Sequence, residues 1–461
     1  MANPATVPVL DYLARQQARH VDELREFLSI PSVSALAQHR HDVRRAAEWL
    51  SGRLARAGID SVRIDDTGGH PVVFARTPLA PGRPTVLVYG HYDVQPVDPV
   101  SQWISPPFQP EVRDNVLYAR GASDDKGQLF MHVIAAEAWL KTGTLPVNLA
   151  FLFEGEEEIG SPHLGDYLRA HRSELSADVA VISDTPMFGD EEPAICYGLR
   201  GLVTLEVSVI GPFQDLHSGV HGGAVMNPAH ALAELLASLH DQSGRVAVDG
   251  FYDDVLPLSE EERQLFQRLP FDVEAYQNEL RVPALVGEAG FTVLERLWTR
   301  PTLDVNGMWA GFTGEGQKTI IPACAHAKIS CRLVPQQDPE RIAQLVESHL
   351  RKHCPPGVRL DIVRGAGSPA HLTPLDHPAV KAAEAAIEAV FKRPAAHIRM
   401  GGSIPVVADF SQTLNVPTVL LGFALPNENF HAPNEHFHLV NFHRGAQTIA
   451  ILWEKLGAAY V

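Results

Sequence analysis

Five short stretches of this 461-residue chain carry histidine and carboxylate, most of them where apolar runs end. The first is Gly90-His91-Tyr92-Asp93-Val94-Gln95-Pro96, directly after Thr85-Val86-Leu87-Val88-Tyr89, a β-branched run that predicts a buried strand. A histidine leaving such a strand can aim its imidazole into a cleft, and an aspartate two residues on can orient the ring from behind. That is a metal ligand with its supporting carboxylate. Arg120-Gly121-Ala122-Ser123-Asp124-Asp125-Lys126-Gly127 then brings two adjacent carboxylates before a predicted helix, where they serve equally well as a cap. Glu154-Gly155-Glu156-Glu157-Glu158-Ile159-Gly160-Ser161 follows the apolar run ending at Phe153. Its carboxylates repel one another unless they are solvated or a cation offsets them, and α/β sheets bind ligands at this edge. Asp184 ends the next run, Val179-Ala180-Val181-Ile182-Ser183, and His431 follows the last one, in Phe430-His431-Ala432-Pro433-Asn434-Glu435.

Two imidazoles and three carboxylates, one of them bridging, can hold two divalent ions. Zinc is the expected ion, with manganese or cobalt as alternatives. Ions roughly 3.5–4 Å apart share a water whose pKa falls to about 7, and a free glutamate can pass its proton to a leaving nitrogen.

The elements that must position these residues read as follows. Leu13, Val21, Leu24, Phe27 and Leu28 predict a helix ending before Pro31; Val43, Ala47, Leu50 and Leu54 predict another ending near Gly58. Strands are expected at 72–76, 85–90, 147–153 and 178–182, with helices through Ile134 and Trp139 and near 162–171. Helices between fully apolar strands indicate an α/β sheet covered on both faces. From about residue 200 the strands alternate apolar and polar instead, at 202–209, 325–334 and 358–364. Helices are expected at 228–239, capped by Asn227, and at 339–352, with helical pieces in a polar stretch at 241–300. After about 370 the first texture returns: a helix at 378–391, a strand at 417–423 and a helix from 441. The expected organisation is an α/β domain over 1–200 and 371–461, interrupted by an α+β domain over 201–370.

Bulk properties exclude several classes. A formal net charge of −17 argues against nucleic acid or anionic membrane as partner. No apolar run approaches the ~20 residues of a membrane span, and Met1-Ala2-Asn3-Pro4 lacks the pattern of a signal peptide. Cys196, Cys324, Cys331 and Cys354 form no CxxC pairs, so no disulfide framework is indicated and the cytoplasm is the expected compartment.

The ordered set GHYDVQP, RGASDDKG, EGEEEIGS, ISD, DLHSGVHGG, RLVPQQDP, GGSIP and FHAPNE resembles the dinuclear-zinc metallopeptidases, which include carnosinase-type dipeptidases, aminoacylases and glutamate carboxypeptidases. The likeness runs through nearly the whole chain and is greatest to the dipeptidase branch. It implies a mixed-sheet zinc-peptidase catalytic domain with an inserted α+β lid and dimerisation domain. By the same resemblance His91, Asp124, Glu158, Asp184 and His431 are the ligands of two metal ions, with Asp124 bridging. Asp93 orients His91, and a cis peptide is expected at Asp124-Asp125. The residues alone leave the base and ligand of the glutamate cluster open by one position; alignment on Gly155 and Gly160-Ser161 puts the general base at Glu157. His217 is implied as an oxyanion donor, supplied to the partner subunit of a homodimer formed through the inserted domain. Arg332, with Gly402 and Ser403, is implied to hold the substrate's C-terminal carboxylate, and Asn306 and Thr319 are weaker candidates for substrate contact. The expected function is hydrolysis of dipeptides or short peptides with a free C-terminus. The alternative is an N-acyl-amino-acid or carbamoyl amidohydrolase on the same metal site. A serine hydrolase built on Ser403 lacks the G-x-S-x-G elbow.

Overall fold

The apolar runs become the middle of one mixed sheet in the computed structural model, which describes residues 4–402 and 404–460. The chain forms two compact units: Met1–Tyr197 with Thr373–Ile398 and Pro405–Val461, and Gly198–Leu372 with Arg399–Ile404. The short 399–404 segment, grouped by sequence with the first region, counts with the second. There Arg200 bonds the carbonyls of Met400 and Gly401, and Arg399 pairs with Glu262.

In the first unit the strands lie in the order Ser61–Asp65, Val72–Arg76, Asn148–Glu154, Thr85–His91, Val179–Ile182, Thr418–Leu420 and Ala194–Leu199. The four from 148–154 to 418–420 are mutually parallel, and the flanking pairings are antiparallel. Val86 and Val88 enter the helix-covered core, while Leu87 and Tyr89 are buried on the other face, where Tyr89 meets Phe410 edge-on at 5.5 Å. Burial on both faces is why this run is continuously apolar rather than alternating. Parallel strands also release their C-terminal ends at one edge. The register sets His91 beside Glu154 and Tyr89 beside Ile182, so three of the chemistry-bearing stretches leave the sheet together.

The helix Lys126–Thr142 is buried at every position from Lys126 to Trp139, and its buried polar side chains each find a partner, although His132 Nδ1 has none. Lys126 donates to the carbonyls of Phe27 (3.2 Å) and Ile30 (2.7 Å), and burial lowers its pKa to about 7. Gln128 links Ser123 O to the amides of Phe423 and Ala424. His132 meets Ser183 Oγ at 2.8 Å, and Glu137 takes Arg53 at 2.6 Å. The single helix expected through Leu13 and Leu28 is two, Val7–Arg15 and Gln17–Leu28. The amide of Gln16 turns back to Tyr12 O and Leu13 O and closes the first. The strand expected at 417–423 shortens to 418–420, because Gly422 lies against the Thr185 backbone where no Cβ fits.

The second unit holds an antiparallel sheet in the order Thr302–Ala310, Cys324–Leu333, Gly201–Ile210, Arg359–Arg364. One face packs on the helices Pro228–Ala237, capped by the Asn227 side chain, and Pro339–His353. The other face carries the polar alternates. The edge strand 302–310 was not legible: it is poor in buried apolar residues, and its register skips from Val305 to Gly307, leaving Asn306 at a bulge.

Candidate metal centre

His91 ends its strand fully buried. Its Nδ1 lies 3.1 Å from the Asp93 carbonyl oxygen and 3.4 Å from the Asp93 carboxylate. That leaves Nε2 facing Asp124 Oδ1 at 3.1 Å and Asp184 Oδ2 at 3.8 Å. Gly90 beside it admits no side chain, since a Cβ would stand 2.6 Å from Asp125 Oδ2, the acceptor of the His91 amide. The Asp124–Asp125 peptide is cis. His431 Nε2 approaches the other oxygen of Asp124 at 2.8 Å and Glu158 Oε2 at 3.3 Å. Its backbone stands at φ 58°, an uncommon setting for a residue other than glycine. Two groups of ligand atoms result, His91 with Asp124 and Asp184, and Asp124 with Glu158 and His431. Within each, the atoms all lie within 4.8 Å of one another. They share Asp124.

The three consecutive glutamates go to three tasks. Glu156 turns away, accepting the His70 amide at 2.9 Å and His163 Nδ1 at 2.8 Å. Glu158 joins His431 and is held by Gln95 Nε2 at 2.8 Å. Glu157 stands between them in sequence. The charges acting on it are those of His91, Asp184, Asp124 and Asp93. Asp93 has a second role that the sequence did not show: its carboxylate accepts the amides of Glu157 (3.2 Å) and Glu158 (3.1 Å), so it tunes both stretches at once. Gln95 was likewise missed, although it lies in the first motif; Gln is not itself a metal-ligand signal.

The electrostatics are those of crowded, buried acid. Burial, with Asp184, Asp124 and Asp93 nearby, raises Glu157 to about 8. Burial and Asp124 raise Glu158 to about 10, and burial and Asp124 raise Asp184 to about 6. Burial also acts upward on Asp124, but hydrogen bonds from His431 and His91 outweigh it and lower that carboxyl. Excess buried negative charge on oxygen and imidazole donors fits hard or borderline divalent cations. The donor set fits two of them.

The remaining candidates lie in the second unit. His217 is exposed and paired with Ile320, and Ser218 N bonds Thr319 O, so His217 and Thr319 share one patch. His217 Nδ1 accepts the Gly219 amide at 3.0 Å, which places the ring proton of the neutral form on Nε2, free to donate outward. Asn306 is exposed at its bulge. Arg332 ends the strand 324–333 half-buried, opposite Thr302. Arg200 was not singled out by sequence. Burial and the positive Arg332 lower its pKa to about 10, and its guanidinium lies against Gly401. Gly402 is exposed, and Ser403 lies outside the described residues.

A model of peptidase family M20/M25/M40 matches residues 87–455. The chain is 31% identical to Cys-Gly metallodipeptidase DUG1 of Saccharomyces cerevisiae over 449 residues, 93% of each chain. It is 31% identical to the Beta-Ala-His dipeptidase of Homo sapiens over 460 residues, 96% of this chain and 91% of the relative. The solved M20 family metallo-carboxypeptidase Sso-CP2 from Sulfolobus solfataricus superposes with a TM-score of 0.85 at 33% identity, covering 95% of this chain and 99% of that one.

Proposed function

The chain belongs to peptidase family M20/M25/M40, and from that premise we propose that it is a metal-dependent dipeptidase acting on dipeptides or short peptides with a free C-terminus. The observation that carries this is the pair of ligand groups sharing Asp124 at the edge of the parallel strands. His91, Asp124 and Asp184 would hold one ion, and Asp124, Glu158 and His431 the second. When bound, divalent ions there, zinc in the first instance and manganese or cobalt as alternatives, polarise the scissile carbonyl and lower the pKa of water to about 7.

Glu157, the glutamate of the cluster with neither a ligand group nor His70 to hold it, takes a proton from water on its carboxylate and hands it to the leaving nitrogen. Asp93 fixes the His91 tautomer through Nδ1 and holds the amides behind Glu157 and Glu158. His217 Nε2–H is set as an oxyanion donor. Arg332, with Gly402 and Ser403, receives the substrate carboxylate, a task suited to the guanidinium fork; Asn306 and Thr319 contribute contacts. The inserted region 201–370 serves as lid and dimerisation domain. A homodimer is supported by its exposed edge strand, with Val305, Met308 and Trp309 open to solvent, and by nearby Phe312. No helix among the described residues is long and apolar enough to cross a membrane. Four cysteines without CxxC spacing suit a reducing compartment, and the cytoplasm is the proposed one.

The test is dipeptide hydrolysis by chelator-stripped protein with and without added zinc or manganese, for wild type and Glu157→Gln. Metal-restored cleavage that the substitution abolishes, with ions still bound, is expected. Ions bound but only N-acyl amino acids cleaved would replace the dipeptidase reading with the amidohydrolase one.

A further inference from the structure

The loop that delivers His431 sends another side chain, Glu435, to the far side of Asp124. Glu435 is buried, and its two oxygens are fully subscribed. Oε1 accepts Ser123 N at 3.0 Å, Asp124 N at 3.1 Å and Ser123 Oγ at 3.2 Å. Oε2 accepts Arg120 Nη1 at 2.7 Å and Gly121 N at 2.9 Å. A carboxylate has about four lone-pair sites, so five donors leave nothing for substrate. The base of the same loop is closed by Glu428, also buried, which accepts the amides of Leu425 (2.9 Å) and His438 (2.8 Å).

Asp124 is thus held twice by one loop: at its amide by Glu435 and at its carboxylate by His431. Because both ligand groups share Asp124, any error in its backbone is passed to both. Simple neutralisation of the buried Arg120 would account for only one of the five contacts. We infer that Glu435 is a positioning residue for the shared ligand, setting where Asp124 stands between the two ion sites and tying that placement to the arrival of His431. This rests on the proposed reading of the two groups as ion sites.

The experiment titrates metal-stripped protein with Co²⁺ by ligand-field absorption, and with Zn²⁺ against a competing chelator, in wild type and Glu435→Gln. The amide keeps the side chain's size but turns an NH₂ toward donors on one side, so half of the clamp is lost. Expected are two ions per wild-type chain and, in the variant, a 10- to 100-fold loss of affinity for both ions, which share Asp124, with a shifted Co²⁺ spectrum. A merely structural role would lower the unfolding temperature and leave the affinity of the folded protein unchanged. If the Gln variant does not fold, Glu435→Asp, which keeps the charge but withdraws it by one methylene, is read in the same way. A folded variant that binds both ions with wild-type affinity overturns the inference alone. Wild type that takes up no ion overturns the metal reading, and the inference with it.

Discussion

Two buried acidic clusters stand in the first unit, and their charges are balanced in opposite ways. Around Glu137, Arg53 Nη2 lies at 2.6 Å, Arg19 at 2.9 Å and His20 at 3.7 Å. Burial works against ionisation there, but His20, Arg19 and Arg53 outweigh it and lower the Glu137 pKa. At the strand ends, Asp184, Glu157 and Glu158 have too little positive charge nearby, and burial pushes all three up. One unit therefore carries a helix-borne cluster completed by the chain's own cations and a strand-end cluster that divalent ions would complete. Matched buried acid is architecture; unmatched buried acid at a sheet edge marks a site.

The contrast can be broken most sharply at Glu157. Glu157→Gln is expected to lower kcat about 10²–10⁴-fold with metal content unchanged, read by steady-state kinetics beside metal analysis. The corresponding change in the matched cluster, Glu137→Gln, should leave kcat near wild type.

Metal removal comes next. Ions at 1,000 times their Kd would stabilise by about 4 kcal/mol, so chelation should lower the thermal unfolding temperature; re-addition should restore it. Loading at pH 7 should also release protons, because Glu157 and Glu158 hold them in the metal-free protein. Calorimetry in two buffers of different ionisation enthalpy measures that release, and identical heats in both would remove the contrast.

Arg53→Met should cost about 3 kcal/mol, the low end for breaking a buried pair, since Arg19 still reaches Glu137. Denaturant unfolding of the metal-free protein reads it. Adding Glu137→Gln to Arg53→Met should recover part of the loss, as the uncompensated charge is then gone.

The smallest effect is in pH. Glu137 has a lowered folded pKa, so its stabilisation is present above the ordinary glutamate range near 4.5 and is lost as pH falls below it. The strand-end acids have raised values, about 6, 8 and 10. Metal-free protein keeps protons there that the unfolded chain has released, and it loses stability as pH rises through that window. Glu158→Gln should flatten the alkaline slope and Glu137→Gln the acid one, each by roughly 1.4 kcal/mol per pH unit per proton at most. Melting curves of both metal-free variants from pH 3 to 9 compare the two clusters directly; slopes exchanged between them would refute the assignment.

What the sequence showed follows from which interactions leave a trace in residue type. The runs ending at Tyr89, Phe153 and Ile182 were legible because burial on both faces demands unbroken apolar residues. Asn227 was legible as a cap because its side chain does the bonding. The edge strand 302–310 was not, since its exposed residues and the bulge at Asn306 erase the period of two. The five candidate ligands were named in order along the chain, but their division into two groups about Asp124 needed the geometry. The hold of Glu435 on Asp124 and the second duty of Asp93 were invisible for one reason: both act on backbone amides, which every residue but proline carries. The assignment of Glu156 was hidden in part the same way, because one of its donors is the backbone amide of His70, far from it in the chain.

The strand Thr418–Leu420 lies between Val179–Ile182 and Ala194–Leu199, inside the sheet rather than at its rim. It is the last strand of that sheet to leave the ribosome, and His431 comes later still. A nascent chain therefore carries His91, Asp124 and Asp184 long before the strand beside 179–182 and the loop bearing His431 and Glu435 exist, and the arrangement about Asp124 must wait for a nearly finished polypeptide. Chains truncated before residue 431 lack both His431 and the Glu435 carboxylate that holds the Asp124 amide, so translation order delays the shared residue as well as its last neighbour.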